Sequence, residues 1–127
     1  MELNIIKKKQ KVKINYLELT PTRKLEQTIR EDGLVDVLVP KFRNKFFIQL
    51  IPPSRSKFIK ANLDEIGSAT WLLIDGKNKV ETISQRLLEQ FGERIEPINE
   101  RLTSFLTQLY HNGFISFNEL QKGKENG

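Results

Sequence analysis

Cysteine is absent from the 127 residues. Its absence excludes disulfides, thiolate metal sites and a cysteine nucleophile together, and fits a reducing cytosol. Histidine occurs once, at His111, whereas a metal site needs three or four ligands at suitable spacing. No glycine-rich phosphate loop is present, and the seven glycines act as punctuation between apolar segments. No apolar run approaches the roughly 18 residues that a membrane-spanning helix needs. The N-terminus is lysine-rich but lacks the apolar core of a signal peptide. The expectation is a cytoplasmic protein with no membrane segment, no metal, no cofactor and no enzyme activity.

What remains is an ordinary globular composition, 38% hydrophobic and 29% charged, at the length of about one domain. The net charge of +5 is unevenly spread. Residues 1–60 carry 14 Lys/Arg against 6 Asp/Glu (+8), and residues 61–127 carry 7 against 10 (−3). Basic character therefore belongs to the N-terminal half, where it would suit an acidic peptide, RNA or an anionic surface, or simply a solvated segment. Residues 1–15 read as a flexible basic arm, and the polar stretch 118–127 as a disordered tail.

Between them the chain alternates strand and helix signals. Tyr16–Pro21 looks extended, because the residue before a proline is pushed out of the helical region. Asp32-Gly33 separates Lys24–Arg30 from the β-branched run Leu34–Pro40, which predicts a β-hairpin through a type I′ turn. A helix over 21–30, with Thr20 as N-cap and Pro21 at its first position, is the competing reading. Residues 41–56 carry phenylalanines at helical spacing that fit a buried strand equally well, with a slight lean to a short helix. A strand is expected over 57–62.

Three helices follow. The first spans about 64–73, with Asp64 or Asn62 as N-cap, Gly76 near its stop, and Gly67 permitting a close backbone approach. Ile66, Ala69, Thr70 and Leu73 share one face, and Trp71 belongs in the core. The second spans about 80–90, with Val80, Ile83, Leu87 and Leu88 inward and Gly92 at its end. The third spans about 97–111, with the stripe Ile98, Leu102, Phe105, Leu106 and Leu109. Phe114–Phe117 makes a last extended segment.

The order of these pieces resembles the PqqD family, the recognition element for ribosomally made, post-translationally modified peptides. The matching residues are Val37-Leu38-Val39-Pro40, then Ala61–Gly67, then Asp75-Gly76 with Val80-Glu81-Thr82-Ile83. Phe105-Leu106-Thr107-Gln108-Leu109 and Gly113-Phe114-Ile115 complete them. Lys79 departs from the family's capping threonine, so Asn78 is expected to cap, and 41–56 reads as an insert within a 16–117 domain. The resemblance implies an α+β, winged helix-turn-helix-like fold, with an N-terminal three-stranded antiparallel sheet followed by a three-helix bundle. It also implies a non-catalytic chaperone that docks the leader segment of a precursor peptide as an added strand. The domain would then present that peptide to a modifying enzyme, often a radical S-adenosylmethionine enzyme. Monomer and homodimer both fit.

On that reading the peptide-binding residues are Lys57, Phe58, Ile59, Lys60 and Ala61 on the third strand, and Arg101, Ser104, Phe105 and Gln108 on the third helix. The competing account makes the strand an ordinary covered edge, Phe105 a core residue and the rest a solvated face. His111 better suits a helix C-terminus than a metal or a base, and Glu93, Glu96 and Glu100 suit a solvated helix start. Nucleic-acid binding by a winged helix ranks second, because the third helix exposes Glu96 and Glu100 with Arg101 its main cation. A structural docking subunit of a maturation enzyme is the third reading.

Overall fold

Valines at 35, 37 and 39 alternate with other residues, as a strand with one buried face requires. The computed structural model describes residues 2–7, 10–41 and 56–125. In it Val35–Pro40 (β5) is the central strand of a three-stranded antiparallel sheet, flanked by Gln27–Ile29 (β4) and Phe58–Asn62 (β6). Val35 and Val37 are fully buried beneath the helices. The hairpin is the expected one, but its turn is not the two-residue type I′. Gly33 N–H donates to Arg30 O, Arg30 N–H donates to Leu34 O, and Gly33 sits at φ 85°. Those bonds close a three-residue loop that needs positive φ at the glycine. The competing helix over 21–30 does not form.

Instead Pro21–Arg23 (β3) pairs antiparallel with Ile115–Phe117 (β7), bringing the two ends of the domain together. Tyr16–Glu18, expected as extended, makes one 3-10 turn that buries Tyr16 edge-on against Phe117 at 6.1 Å. Two further expectations give way. Residues 1–15, read as a flexible arm, form over their described part an antiparallel ribbon, Glu2–Lys7 (β1) against Gln10–Asn15 (β2). The supposed disordered tail begins with a helix, Asn118–Glu125 (α4). The Glu119 carboxylate accepts from both the Thr20 N–H and the Thr20 hydroxyl at 2.7 Å, which ties this helix to the start of β3. The expected insert at 41–56 lies outside the described residues, except for Lys41 and Ser56.

The main helices are Glu65–Leu73 (α1), Val80–Phe91 (α2) and Ile98–His111 (α3). Asp64 caps α1 by accepting from Gly67 N–H at 2.7 Å, one of its two expected caps. Trp71, Ile83, Leu87 and Leu106 are fully buried between these helices and the sheet. Asn78 does not cap α2. Its amide donates to Leu73 O, and Lys79 holds the cap position without a side-chain bond. The C-cap of α1 is Ile74, and Gly76, expected near that stop, lies two residues beyond it in the turn that follows.

Gly76 N–H donates to Pro21 O at 2.9 Å from a backbone at φ 80°, and an added Cβ would lie 2.9 Å from Thr22 Oγ1. Gly76→Ala therefore combines left-handed strain with a clash, and should cost about 1–3 kcal/mol in urea unfolding. A loss within experimental error would contradict this account of the turn.

A polar strap crosses the outer face of the sheet. Arg30 Nη1 donates to Asp36 Oδ1 at 2.6 Å, Arg30 Nη2 donates to Leu63 O at 3.0 Å, and the Asn62 amide donates to the same Asp36 oxygen. The Arg30 guanidinium, joined by the Asn62 amide, holds the Asp36 carboxyl below its ordinary range against the opposing effect of burial. The Asp75 carboxyl is held down by the backbone N–H groups of Asn78 and Lys77. A depressed folded-state pKa contributes stability above the unfolded carboxylate value, about 4, and loses it as pH falls through the folded value. The urea midpoint should thus fall below about pH 4, and Asp75→Asn should flatten that acid slope. An unchanged slope would assign the acid response to other groups.

Candidate functional site

The bonding parity of β6 follows from its neighbours. Leu38 N–H donates to Glu26 O beside β4, so Leu38 and its register partner Lys60 exchange no ladder bonds. Leu63 N–H donates to Val35 O, and Lys41 N–H donates to Lys57 O. Residues 57, 59, 61 and 63 therefore turn their backbone groups toward β5, and Phe58, Lys60 and Asn62 turn theirs to the opposite side. Among the described residues β6 pairs only with β5, so that side is a sheet edge. Pro40 fits the same parity, because its missing N–H faces the side on which β4 has already ended.

This edge is apolar and basic. Phe58 is 43% and Ile59 57% exposed, Lys57 and Lys60 are exposed, and Ala61 is half-buried. Side chains alternate. Ile59, Ala61 and Leu63 share the face of Val39, Val37 and Val35 that meets the helices, whereas Phe58, Lys60 and Asn62 share the outer face with Asp36.

The helical part lies where β6 runs into α1. Glu100, Arg101, Ser104, Phe105 and Gln108 line an open groove along α3. Arg101 and Phe105 continue into a deeper apolar cleft of about 200 Å³, walled by Ile66, Leu87, Ile95, Ile98 and Leu102. Asp64, Gly67 and Thr70 complete it. Around Gly67 the elements are in ordinary contact: a Cβ there would lie 3.5 Å from Leu63 Cβ and 3.7 Å from Phe105 Cζ, and only the capping Asp64 Oδ1 would be tight, at 3.0 Å. Phe105 is half-buried, part of its ring packing on the core and part lining the groove.

The four helix residues expected from sequence share one groove. Lys57–Ala61 form the strand edge and do not line it; the two parts meet at Leu63, Gly67 and Phe105. Arg101 is less free than the sequence implies, because its Nη1 donates to Arg94 O at 2.7 Å. Arg94 in turn lies 5.5 Å over the Phe91 ring and pairs with Glu65 at 3.0 Å. Sequence reasoning missed the floor of the cleft, since Ile98 and Leu102 read as plain core and Ile95 carried no reading. Gly67, expected from sequence to permit a close approach, makes only ordinary contacts with Leu63 and Phe105.

His111 stands in the last turn of α3, edge-on to Tyr110 at 5.8 Å. Among the described residues no His, Cys, Asp or Glu cluster has metal-binding geometry, and no helix is long and apolar enough to cross a membrane.

The family model described as coenzyme PQQ synthesis protein D (PqqD) matches residues 50–115, just over half of the chain. The chain belongs to the PqqD family. The PqqD match takes in β6, α1, α2 and α3, and thus both the strand edge and the groove. It does not extend to Val37–Pro40, the strand end compared with the family from sequence. PqqD membership links the chain to coenzyme PQQ synthesis and the related modification of ribosomal peptides, in which family members serve as non-catalytic accessory proteins. No match was found among curated proteins or solved structures.

Proposed function

We propose that this protein docks the leader segment of a ribosomally made precursor peptide as an added strand on β6 and holds it against α3 for a modifying enzyme. The observation that supports it most is the outward-facing backbone of Lys60 and Asn62 beside an apolar cleft. An extended peptide satisfies such an edge by β-augmentation, and alternate side chains then select the sequence. In this reading the helices are a winged helix-turn-helix-like support, and the enzyme is of the radical S-adenosylmethionine type.

Magnitudes separate what the edge and the cleft contribute. Lys60 and Asn62 together offer two N–H and two C=O groups, worth about 0.5–1.5 kcal/mol net each, so roughly 2–6 kcal/mol in all. A micromolar complex requires about 8 kcal/mol after the cost of association. Strand pairing alone does not reach that. One buried leucine-sized side chain adds about 1.5–3 kcal/mol, and the cleft has room for one. The peptide is accordingly expected to point apolar residues toward α3 and acidic ones toward Lys60 on the outer face.

Fluorescence anisotropy with the labelled precursor-like peptide encoded beside this gene tests the reading, with duplex DNA as control at low and moderate salt. Micromolar or tighter binding that survives salt supports it. Salt-sensitive DNA binding without peptide binding would move the assignment to a nucleic-acid regulator. Silence from both would leave a docking subunit whose partner is the enzyme.

A further inference from the structure

We infer that the Ser56 hydroxyl is a built-in cap on the β6 edge, which closes Phe58 to strand addition and sets the register of the docked peptide. The inference rests on the peptide-docking reading above and concerns where on the strand that docking begins.

Phe58, Lys60 and Asn62 are the residues of β6 whose backbone groups face away from β5. They are not equally available. Phe58 N–H donates to Ser56 Oγ at 3.1 Å, and the same hydroxyl donates to Phe58 O at 3.1 Å. One side chain thus occupies both the donor and the acceptor of the first outward position. Lys57 O, just before it, is already taken by Lys41 N–H. A peptide strand reaching Phe58 would have to displace the hydroxyl and replace both bonds, a nearly even exchange that brings little net gain. Local serine-to-backbone bonds compete with sheet ladders in this way.

The cap has a directional consequence. Successive outward positions lie about 7 Å apart along a strand. Closing the first confines pairing to the end of β6 at which Leu63 meets Gly67 and Phe105. The peptide is thereby held over the cleft and kept from sliding toward the start of the strand. Edge strands of low specificity slip register easily, and a closed end limits that freedom.

Amide hydrogen exchange by NMR on the full chain tests this, comparing wild type with Ser56→Ala and Ser56→Thr. In the free protein Phe58 N–H should exchange at least about tenfold more slowly in wild type and Ser56→Thr than in Ser56→Ala. With the labelled precursor-like peptide bound, Lys60 and Asn62 should become protected in wild type. In Ser56→Ala, peptide protection should extend to Phe58. Equal Phe58 exchange in all three free proteins overturns the cap. A peptide that protects the same amides in wild type and Ser56→Ala overturns the register assignment. A peptide that protects no β6 amide sinks the docking reading and the register with it, while the free proteins still decide whether the cap exists.

Discussion

Lys60→Pro is expected to weaken peptide binding at least tenfold while leaving the fold intact, and Ile59→Pro to disrupt the sheet. The two changes place the same residue at neighbouring positions, so the contrast reads backbone direction once the lost Lys60 charge is controlled for. Lys60 N–H faces away from β5, so its removal takes no bond from the protein's own ladder. Proline is tolerated at such edge positions, and the extended Ile59 before it is already in the region that proline imposes. The ring would project toward the incoming strand and remove one of the two outward donors, leaving that of Asn62. One lost bond of about 0.5–1.5 kcal/mol gives a factor of roughly 2–13, and the steric block adds to it. Ile59 N–H faces β5 opposite Val39, so proline there removes a ladder bond between β5 and β6 and drives its ring toward β5.

The charge of Lys60 requires its own control. Lys60→Gln keeps the backbone donor and removes only the cation, which lies on the outer face near Asp36. Its effect should be small and salt-dependent, because exposed charges contribute little and are screened. Anisotropy titrations with thermal melts on all three variants read both quantities. Equal binding by wild type and Lys60→Pro would place the peptide elsewhere, and the groove along α3 would be the next surface to test by Gln108→Ala and Ser104→Ala.

Much of this arrangement was legible in the residues, for identifiable reasons. The helices stood out because their apolar stripes are long and their ends are marked by Asp64, Gly92 and Asn112-Gly113. Asp32-Gly33 showed the hairpin, although not its turn type, since three-residue and two-residue loops share that dipeptide. The pairing of β3 with β7 was hidden, because it joins segments some ninety residues apart and each strand is only three residues long. Asn118–Glu125 looked disordered because polar composition argues against a buried core. Its order comes from Glu119 binding Thr20 and Leu120 packing on the core, contacts that no local pattern displays. At the candidate site, the strand and the helix were visible as elements. The cleft is walled by Ile66 and Thr70 of α1, Leu87 of α2 and Ile98 and Leu102 of α3, a meeting of separate elements that no local pattern displays.

Trp71→Ala should be the most damaging single change to stability, at about 3–5 kcal/mol. The residue is fully buried in α1, and its indole N–H donates to Gln27 Oε1 on β4 at 3.2 Å. It therefore joins the helices to the far edge of the sheet by both packing and a hydrogen bond. A domain of this size has about 5–15 kcal/mol in total, so the loss takes roughly a fifth of it at the least. Trp71→Phe separates the two contributions. It keeps most of the ring volume and gives up the N–H bond, for an expected cost of about 1–2 kcal/mol plus a partial cavity term. Because the chain has one tryptophan, unfolding in urea is followed by far-UV circular dichroism. Where Trp71→Ala remains folded, at low temperature, peptide affinity should stay within a few-fold of wild type. Trp71 faces β4, and the proposed peptide adds beyond β6 on the opposite edge of the sheet. A folded Trp71→Ala protein that had lost binding outright would show that the two edges of the sheet are coupled.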